Sequence, residues 1–411
     1  MQQLKIRKFG PLNEVELQIK DYMVFIGPQA SGKSTILKIL YIFRSLREEV
    51  FRTVADIVEG INADPLPETI LRGHIVNKFK SFWDSPARYG DFFLQYDYGD
   101  DKLVSIFQKK KVVYVVFSEK LEQEIRDIFA GLRTFISERY KDATQEFKES
   151  YYVELDGYIY KLFDRERIPV YIPAGRVMAY GIFGRYLNER LDNAMKIFIQ
   201  QIAEMRPLYF EQLEKMVNKE TAFNILDRES VEMAMVLIKR ILKGDYVYEK
   251  DFERIKLEKR GTYIEMPMAS TGQQESLWLL MQLFTAMLSG VEYFIIIDEP
   301  EAHLYPVAQK QLVELITLVA NYTNNQVVMT TNSPTVLKTI NNQVYAGMKK
   351  GDEVAKVMNS KFWLEGSDFG AYMVEDGGVR DIVDKESGMI SSEVVDVAGE
   401  IIEEELKMLE G

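Results

Sequence analysis

Apolar and polar residues alternate along positions 4–9 and 14–19, on either side of Gly10-Pro11, and this period-two pattern predicts an antiparallel hairpin. The unbroken apolar run Met23-Val24-Phe25-Ile26 then predicts a buried strand, and positions 35–43 a helix. Short β-like runs at 91–98, 102–108 and 112–117 predict an antiparallel lobe. From 119 to about 151 the period lengthens: Leu121, Ile125, Ile128, Leu132, Phe135 and Ile136 recur at helical spacing and make one apolar face for packing on the body. After the β-like Val170-Tyr171-Ile172, a second helical block is predicted over 186–242. Strand character returns at 254–259 and 263–266. A helix at about 274–287, a buried strand at 293–297, a helix at about 306–322 and a buried strand at 326–330 follow. The remaining residues are expected to hold short strands and a terminal helix ending at 401–409.

Mixed βα order of this kind indicates an α/β core interrupted by helical insertions. The expected parts are an N-terminal portion with the antiparallel lobe (1–117), a helical insertion (118–165), a return strand (166–183), a second helical insertion (184–250) and a C-terminal portion (251–411). At 411 residues the chain exceeds the size at which a single core usually stops growing, and its 47% hydrophobic content supplies ample core material.

Composition narrows the chemistry. The chain has no cysteine, which excludes disulfides, thiolate metal sites and cysteine nucleophiles, and its two histidines argue against a dedicated zinc enzyme. A net charge of −12 argues against a protein that coats nucleic acid, while leaving room for a local basic surface, so DNA contact stays open. The basic run Lys109-Lys110-Lys111 lies between two strand-like segments and reads as a solvated turn. Neither a secretory signal nor a membrane-spanning run is evident, so a cytoplasmic location is expected.

The densest chemical signal is Gly27-Pro28-Gln29-Ala30-Ser31-Gly32-Lys33-Ser34, followed by Thr35, between the strand at 23–26 and the helix after it. This is the phosphate-binding loop pattern G-x-x-x-x-G-K-[ST]. Its glycines let backbone N–H groups surround phosphate oxygens, Lys33 is placed for the β- and γ-phosphates, and Ser34 for Mg²⁺. The chain is therefore expected to bind ATP and Mg²⁺. A second element is the apolar strand ending in Asp298-Glu299-Pro300, which delivers two carboxylates at the strand's C-terminal end, where parallel sheets bind ligands. Asp298 suits the Mg²⁺ shell, and Glu299 suits polarising a water aligned with the γ-phosphate. A third is Ala269-Ser270-Thr271-Gly272-Gln273-Gln274-Glu275, a small polar segment before an apolar helix. Alone, it is a helix cap and turn; beside the other two, its Ser270 hydroxyl, Gly272 backbone and helix N-terminus suit an anion.

Together these elements resemble the ATP-binding-cassette ATPases, in particular the cytoplasmic branch that includes SMC proteins, RecF and the OLD-family nucleases. Ser270-Thr271-Gly272-Gln273 is similar to their LSGGQ signature, departing from it at Ala269 and Thr271. The segment from Asp298 to Pro306, DEPEAHLYP, resembles the catalytic Glu and D-loop segment of the OLD-like ATPases, with His303 placed to contact a partner protomer. Thr330-Thr331-Asn332-Ser333-Pro334 resembles their switch segment, with Asn332 where His is usual; Asn can hydrogen-bond a γ-phosphate but cannot carry a proton. Tyr171-Ile172-Pro173-Ala174-Gly175-Arg176 falls at the Q-loop position without a glutamine, which leaves Arg176 for coupling, phosphate contact or a structural salt bridge. His74 reads as structural.

The resemblance implies an ABC-ATPase-like head and an active form that is at least a homodimer. ATP would be enclosed between the phosphate loop of one protomer and the Ser270 segment of the other. It also implies a sensor or regulatory subunit of bacterial anti-phage defence, working with a separate effector nuclease or toxin; the alternative is a RecF- or SMC-like ATPase of DNA repair or maintenance. A self-contained nuclease is disfavoured, because the acidic residues after Pro334, such as Glu375-Asp376 and 403–405, read as a turn and a solvated helix face.

Overall fold

The predicted hairpin forms as β1 (Gln3–Phe9) and β2 (Leu12–Gln18), paired antiparallel in a computed structural model of the chain. The structure describes residues 2–58, 66–83, 90–138, 144–163, 167–181, 191–210, 227–249, 252–258, 261–395 and 397–410. These fall into two compact units: residues 1–19, 29–169 and 374–379 make the first, and 20–28, 170–373 and 380–411 the second.

In the first unit, β4 (Phe93–Asp97), β5 (Leu103–Lys109) and β6 (Val112–Phe117) extend the hairpin into one sheet of order β2-β1-β4-β5-β6. Its antiparallel register lines up two apolar rows across all five strands. One is Val15, Ile6, Leu94, Ile106 and Val115, and the other is Leu17, Leu4, Tyr96, Val104 and Phe117; every member is buried. A one-residue slip of any strand would turn its share of both rows to solvent, forfeiting about 1.5–3 kcal/mol per large side chain, so the alternation fixes the pairing. Lys110 and Lys111 both adopt positive φ (51° and 67°) and are exposed, the solvated turn expected between β5 and β6.

Among the described residues, five helices belong to this unit: Lys33–Arg44, Leu46–Val58, Pro67–Phe82, Glu119–Glu138 and Gln145–Leu162. The second and third were not anticipated. His74 ties them together, its Nδ1 lying 3.0 Å from Thr53 Oγ1 and its Nε2 3.1 Å from Asp56 Oδ2, which is a structural role. The block expected at 119–151 is two helices, with residues 139–143 between them outside the described set.

The second unit is organised by a six-stranded sheet of order β14-β13-β3-β12-β11-β7. Its strands are β3 (Tyr22–Ile26), β7 (Ile168–Ile172), β11 (Tyr293–Ile297), β12 (Gln326–Thr330), β13 (Phe369–Glu375) and β14 (Gly378–Asp381). β13, β3, β12 and β11 run parallel. All residues of β3 and β12 are buried, which explains why neither strand shows an apolar–polar alternation. The helices Asn193–Met205, Arg228–Leu242, Thr271–Leu288, Pro306–Tyr322 and Pro334–Lys349 belong to the same unit.

Two expectations are corrected here. The second helical insertion does not run to 250: Lys243, at φ 56°, ends the helix, and β8 (Gly244–Glu249) follows, pairing with β9 (Phe252–Leu257) in a sheet completed by β10 (Tyr263–Glu265). The sequence after 334 is not only short strands, because Ser333 caps a 16-residue helix that starts with Pro334 at its first position, a strong start signal that the resemblance to a switch segment had masked. The parts of the 186–242 block at 186–190 and 211–226 lie outside the described residues.

Candidate functional site

Between β3 and the helix Lys33–Arg44 the backbone takes three positive φ values, at Gly27 (146°), Ala30 (60°) and Gly32 (112°). Gly32 has a second constraint: a Cβ there would lie 2.6 Å from Leu12 Cδ2, so a side chain is excluded by space as well as by conformation. Gly32 is also the N-cap of the helix and offers it no side-chain hydrogen bond. No cap side chain therefore competes with an anion at this helix N-terminus, where the helix dipole favours negative charge. Pro28, Gln29, Ala30 and Ser34 are exposed, Thr35 is half-buried and Lys33 is buried. The Ser31 hydroxyl is buried without a hydrogen-bond partner, a polar group that a bound phosphate oxygen would satisfy. On these observations the loop fits a nucleotide polyphosphate.

The second group of predicted residues gathers at the C-terminal ends of β11 and β12. Because Ile297 pairs with Met329 in parallel register, the next residues along, Asp298 and Thr330, become neighbours. Thr330 Oγ1 donates to Asp298 Oδ1 at 2.6 Å and accepts from the Glu299 N–H at 3.0 Å, so one hydroxyl fixes both acidic residues. Asp298 is buried, whereas Glu299 is partly accessible and has φ 46°, a left-handed conformation that is costly for a residue with a Cβ. Nearby, Tyr171 keeps its phenol protonated well above the ordinary range, first because it is buried and then because of the charges on Asp298 and Asp192.

Arg176 accounts for how that turn is held. It is 1% exposed, and its donors converge on backbone oxygens: Nη1 reaches the carbonyls of Pro173 (2.8 Å) and Asp298 (3.0 Å), Nη2 those of Glu299 (3.0 Å) and Pro300 (3.5 Å), and Nε that of Glu275 (2.7 Å). The Glu275 carboxylate lies 3.4 Å from Nε and accepts from the backbone N–H groups of Arg176 (2.9 Å) and Val177 (3.3 Å). Burial depresses the Arg176 pKa from its usual value, and Glu275 opposes that shift most strongly. Of the roles open to Arg176 from sequence, the salt bridge is observed. Removing one partner of such a pair costs about 3–5 kcal/mol, so the pair is structurally necessary whatever else it does.

Glu301, to which sequence reasoning gave no role, is 9% exposed. Its Oε1 accepts from Thr331 Oγ1 at 2.6 Å and from the Asn332 N–H at 3.1 Å, while its Oε2 is buried without a partner. Burial raises its pKa above the usual carboxylate value. Ser333 Oγ donates to Gln309 Oε1 at 2.6 Å, a second tie between the segment after β12 and the chain beyond β11. Exposed Asn332 has two orientations available. In one, its amide nitrogen lies 3.4 Å from Glu299 Oε1; turned over, it donates to the carbonyls of Thr331 (3.2 Å) and Gly27 (3.0 Å).

Ser270 is the N-cap of the helix Thr271–Leu288 and forms a capping box with Gln273. Its N–H donates to Gln273 Oε1 at 3.1 Å, and the Gln273 N–H to Ser270 Oγ at 3.4 Å. The Gln273 amide also donates to the Leu242 carbonyl at 2.7 Å. Ser270 and Thr271 are exposed. Gly272 is not an open backbone position, as its sequence context implied, because a Cβ there would lie 2.7 Å from the carbonyl oxygen of His303. Exposed His303, at φ 61°, turns that carbonyl toward the helix.

The structure therefore brings together Asp298, Glu299, Asn332, the Ser270 segment and Arg176 in the second unit, together with Gly27 and Pro28; Gln29 to Thr35 belong to the first unit. Sequence reasoning missed Thr330 as a ligand of Asp298, Glu275 as the partner of Arg176, and Glu301. The first was recoverable from parallel register, while the other two required knowing which polar residues are buried. No group of three or more histidine or acidic side chains positioned to hold a metal exists among the described residues, and no described helix is long and apolar enough to cross a membrane.

Residues 1–172 and 179–337 match the profile of a family described as an AAA ATPase domain. Among solved structures, the chain is similar to the SMC head domain from Thermotoga maritima (11% identity, TM-score 0.38, covering 92% of this chain and 97% of that one). It is also similar to an SMC head bound to the C-terminal winged-helix domain of ScpA (10%, 0.41, 94% and 99%). A third similar structure is the recombination mediator protein RecF of the RecFOR pathway (11%, 0.38, 92% and 97%). No curated protein matches the chain.

Proposed function

The chain belongs to the AAA ATPase domain family and is an ATPase, and from that premise we propose that it is an ATP-driven regulatory subunit whose active form is a homodimer closed by nucleotide. The observation that carries this reading is the helix-cap contrast between the two motifs. The helix Lys33–Arg44 begins at Gly32, which has no side chain to cap it, whereas the helix Thr271–Leu288 is closed by the Ser270–Gln273 capping box while Ser270 and Thr271 stay exposed. The first can take a phosphate directly; the second presents a rigid polar tip suited to completing a site on another protomer.

In this reading Lys33 and the backbone from Gly27 to Thr35 hold the phosphates. Ser34 and Asp298 would hold Mg²⁺, which supplies charge neutralisation on the β- and γ-phosphates. Glu299 orients a water and accepts its proton as the water oxygen bonds to the γ-phosphorus and the bond to the ADP oxygen breaks. Asn332 contacts the γ-phosphate as a hydrogen-bond donor and carries no proton. The likeness of DEPEAHLYP and TTNSP to OLD-like ATPases supports a place in anti-phage defence, with output through a separate effector nuclease or toxin.

The test is Glu299→Gln, a substitution that keeps the shape of the side chain. It should bind ATP normally, lose about 10²–10⁴-fold in hydrolysis, the usual worth of a general base, and accumulate as an ATP-dependent dimer by light scattering. Hydrolysis at the parental rate would remove Glu299 from the mechanism, and a monomer in the presence of ATP would remove the dimer.

A further inference from the structure

A guanidinium that is 1% exposed and directed at the carbonyls of three consecutive residues is more than a filler of space. Arg176 donates to the carbonyls of Asp298, Glu299 and Pro300, the three residues that carry the chain out of β11. The middle one sits at φ 46°, so its backbone is held by its surroundings rather than by its own preference. The other end of the same side chain is fixed to Glu275, in the second turn of the helix capped by Ser270.

We infer that Arg176 is a positioning residue for ATP hydrolysis: it sets the backbone that aims Glu299, and through Glu275 it ties that backbone to the helix whose tip is the Ser270 segment. This rests on the proposed role of Glu299 and deepens it. Closing of a partner protomer on the Ser270 tip pushes on the helix Thr271–Leu288, and Arg176 passes that displacement to the turn bearing Glu299. The Glu299 carboxylate is then correctly aimed only when the tip is engaged. A planar fork with five donors is required, because a single ammonium cannot reach at once the carbonyls that Nε, Nη1 and Nη2 serve along different edges of the guanidinium.

The experiment compares the full-length parent with Arg176→Lys and with the double variant Arg176→Met/Glu275→Gln. The double variant removes both charges together, so that neither is left buried alone and folding is preserved. Fluorescent ATP titration, steady-state hydrolysis and thermal melting are measured on each. The expected result is ATP affinity within about twofold of the parent, kcat reduced about 30-fold or more, and a folded, cooperative melt. In a Glu299→Gln background, Arg176→Lys should add less than about threefold, since both changes act on one step.

Parental kcat in either Arg176 variant overturns the inference. So does a fall in kcat that matches a fall in affinity, or full additivity with Glu299→Gln, because either pattern marks general structural damage. Lys33→Ala and Glu299→Gln run alongside: if they hydrolyse ATP like the parent, the proposed site itself has failed and the inference falls with it. If they lose hydrolysis while Arg176→Lys keeps it, only the inference is lost.

Discussion

Gly272 and His303 are packed backbone to backbone, so that a Cβ on Gly272 would stand 2.7 Å from the His303 carbonyl oxygen. The obstacle is main chain and cannot rotate away. Gly272→Ala should therefore destabilise the protein by about 1–3 kcal/mol, the usual cost of overpacking, and reduce hydrolysis along with it. Chemical denaturation and an ATPase assay check this, and an alanine variant with parental stability would show that the two segments separate easily.

Lys33→Ala should bind ATP weakly or hydrolyse it at least about 100-fold more slowly, because it removes the one cation that the loop pattern places on the phosphates. Nucleotide titration and phosphate release measure the two effects separately. A near-parental rate would remove the loop from the reaction.

Ser270→Arg places a long cation on the exposed tip of the helix Thr271–Leu288. It should leave ATP binding by the isolated chain within about threefold of the parent while abolishing nucleotide-driven dimerisation. Mixed with Lys33→Ala protein, it should regain part of the hydrolysis, since such a dimer holds one intact pairing of loop and tip. No regain on mixing, or full activity of Ser270→Arg alone, would place both halves of the site in one chain.

The buried Glu301 carboxyl makes stability depend on pH. Its folded pKa is raised above the 4.5 of a free glutamate, chiefly by burial, so the folded protein retains a proton that the unfolded chain gives up. The stabilisation from this proton is complete below about pH 4.5 and is lost as pH rises through the higher folded value. Glu301→Gln keeps an acceptor for Thr331 and Asn332 but cannot ionise. The melting temperature of the variant relative to the parent should therefore rise from pH 4.5 towards neutrality, and a difference independent of pH would show that folding does not raise the Glu301 pKa.

Much of the sheet was legible because its strands announce themselves by period. The alternation at 4–9 and 14–19, the unbroken runs at 23–26 and 293–297, and the buried strand at 326–330 each became the strand they implied. The tight loop after β3 was legible because Gly27 and Gly32 stand where the backbone takes positive φ. What sequence could not show was which polar side chains are spent inside the protein. Gln273 looked like a ligand-binding amide and is largely occupied by the Ser270 cap and the Leu242 carbonyl. Arg176 looked available to a phosphate and is surrounded by carbonyls. In both cases the deciding partner lies far away in the chain, where neither periodicity nor motif reaches.

The place of β3 between β12 and β13 also governs how the chain comes to be folded. Gln326 donates to the Lys20 carbonyl across 306 positions, and β13 joins the other side of β3 later still. At about 5–20 residues per second, a ribosome leaves the segment Tyr22–Ile26 without either neighbour for roughly 15–60 s after making it. During that interval five consecutive apolar residues, with backbone donors and acceptors open on both sides, offer a template to any other extended segment. Fragments that stop short of Phe369 should therefore collect in inclusion bodies, and newly made protein should depend on chaperone capture more than its finished, fully covered strand would suggest.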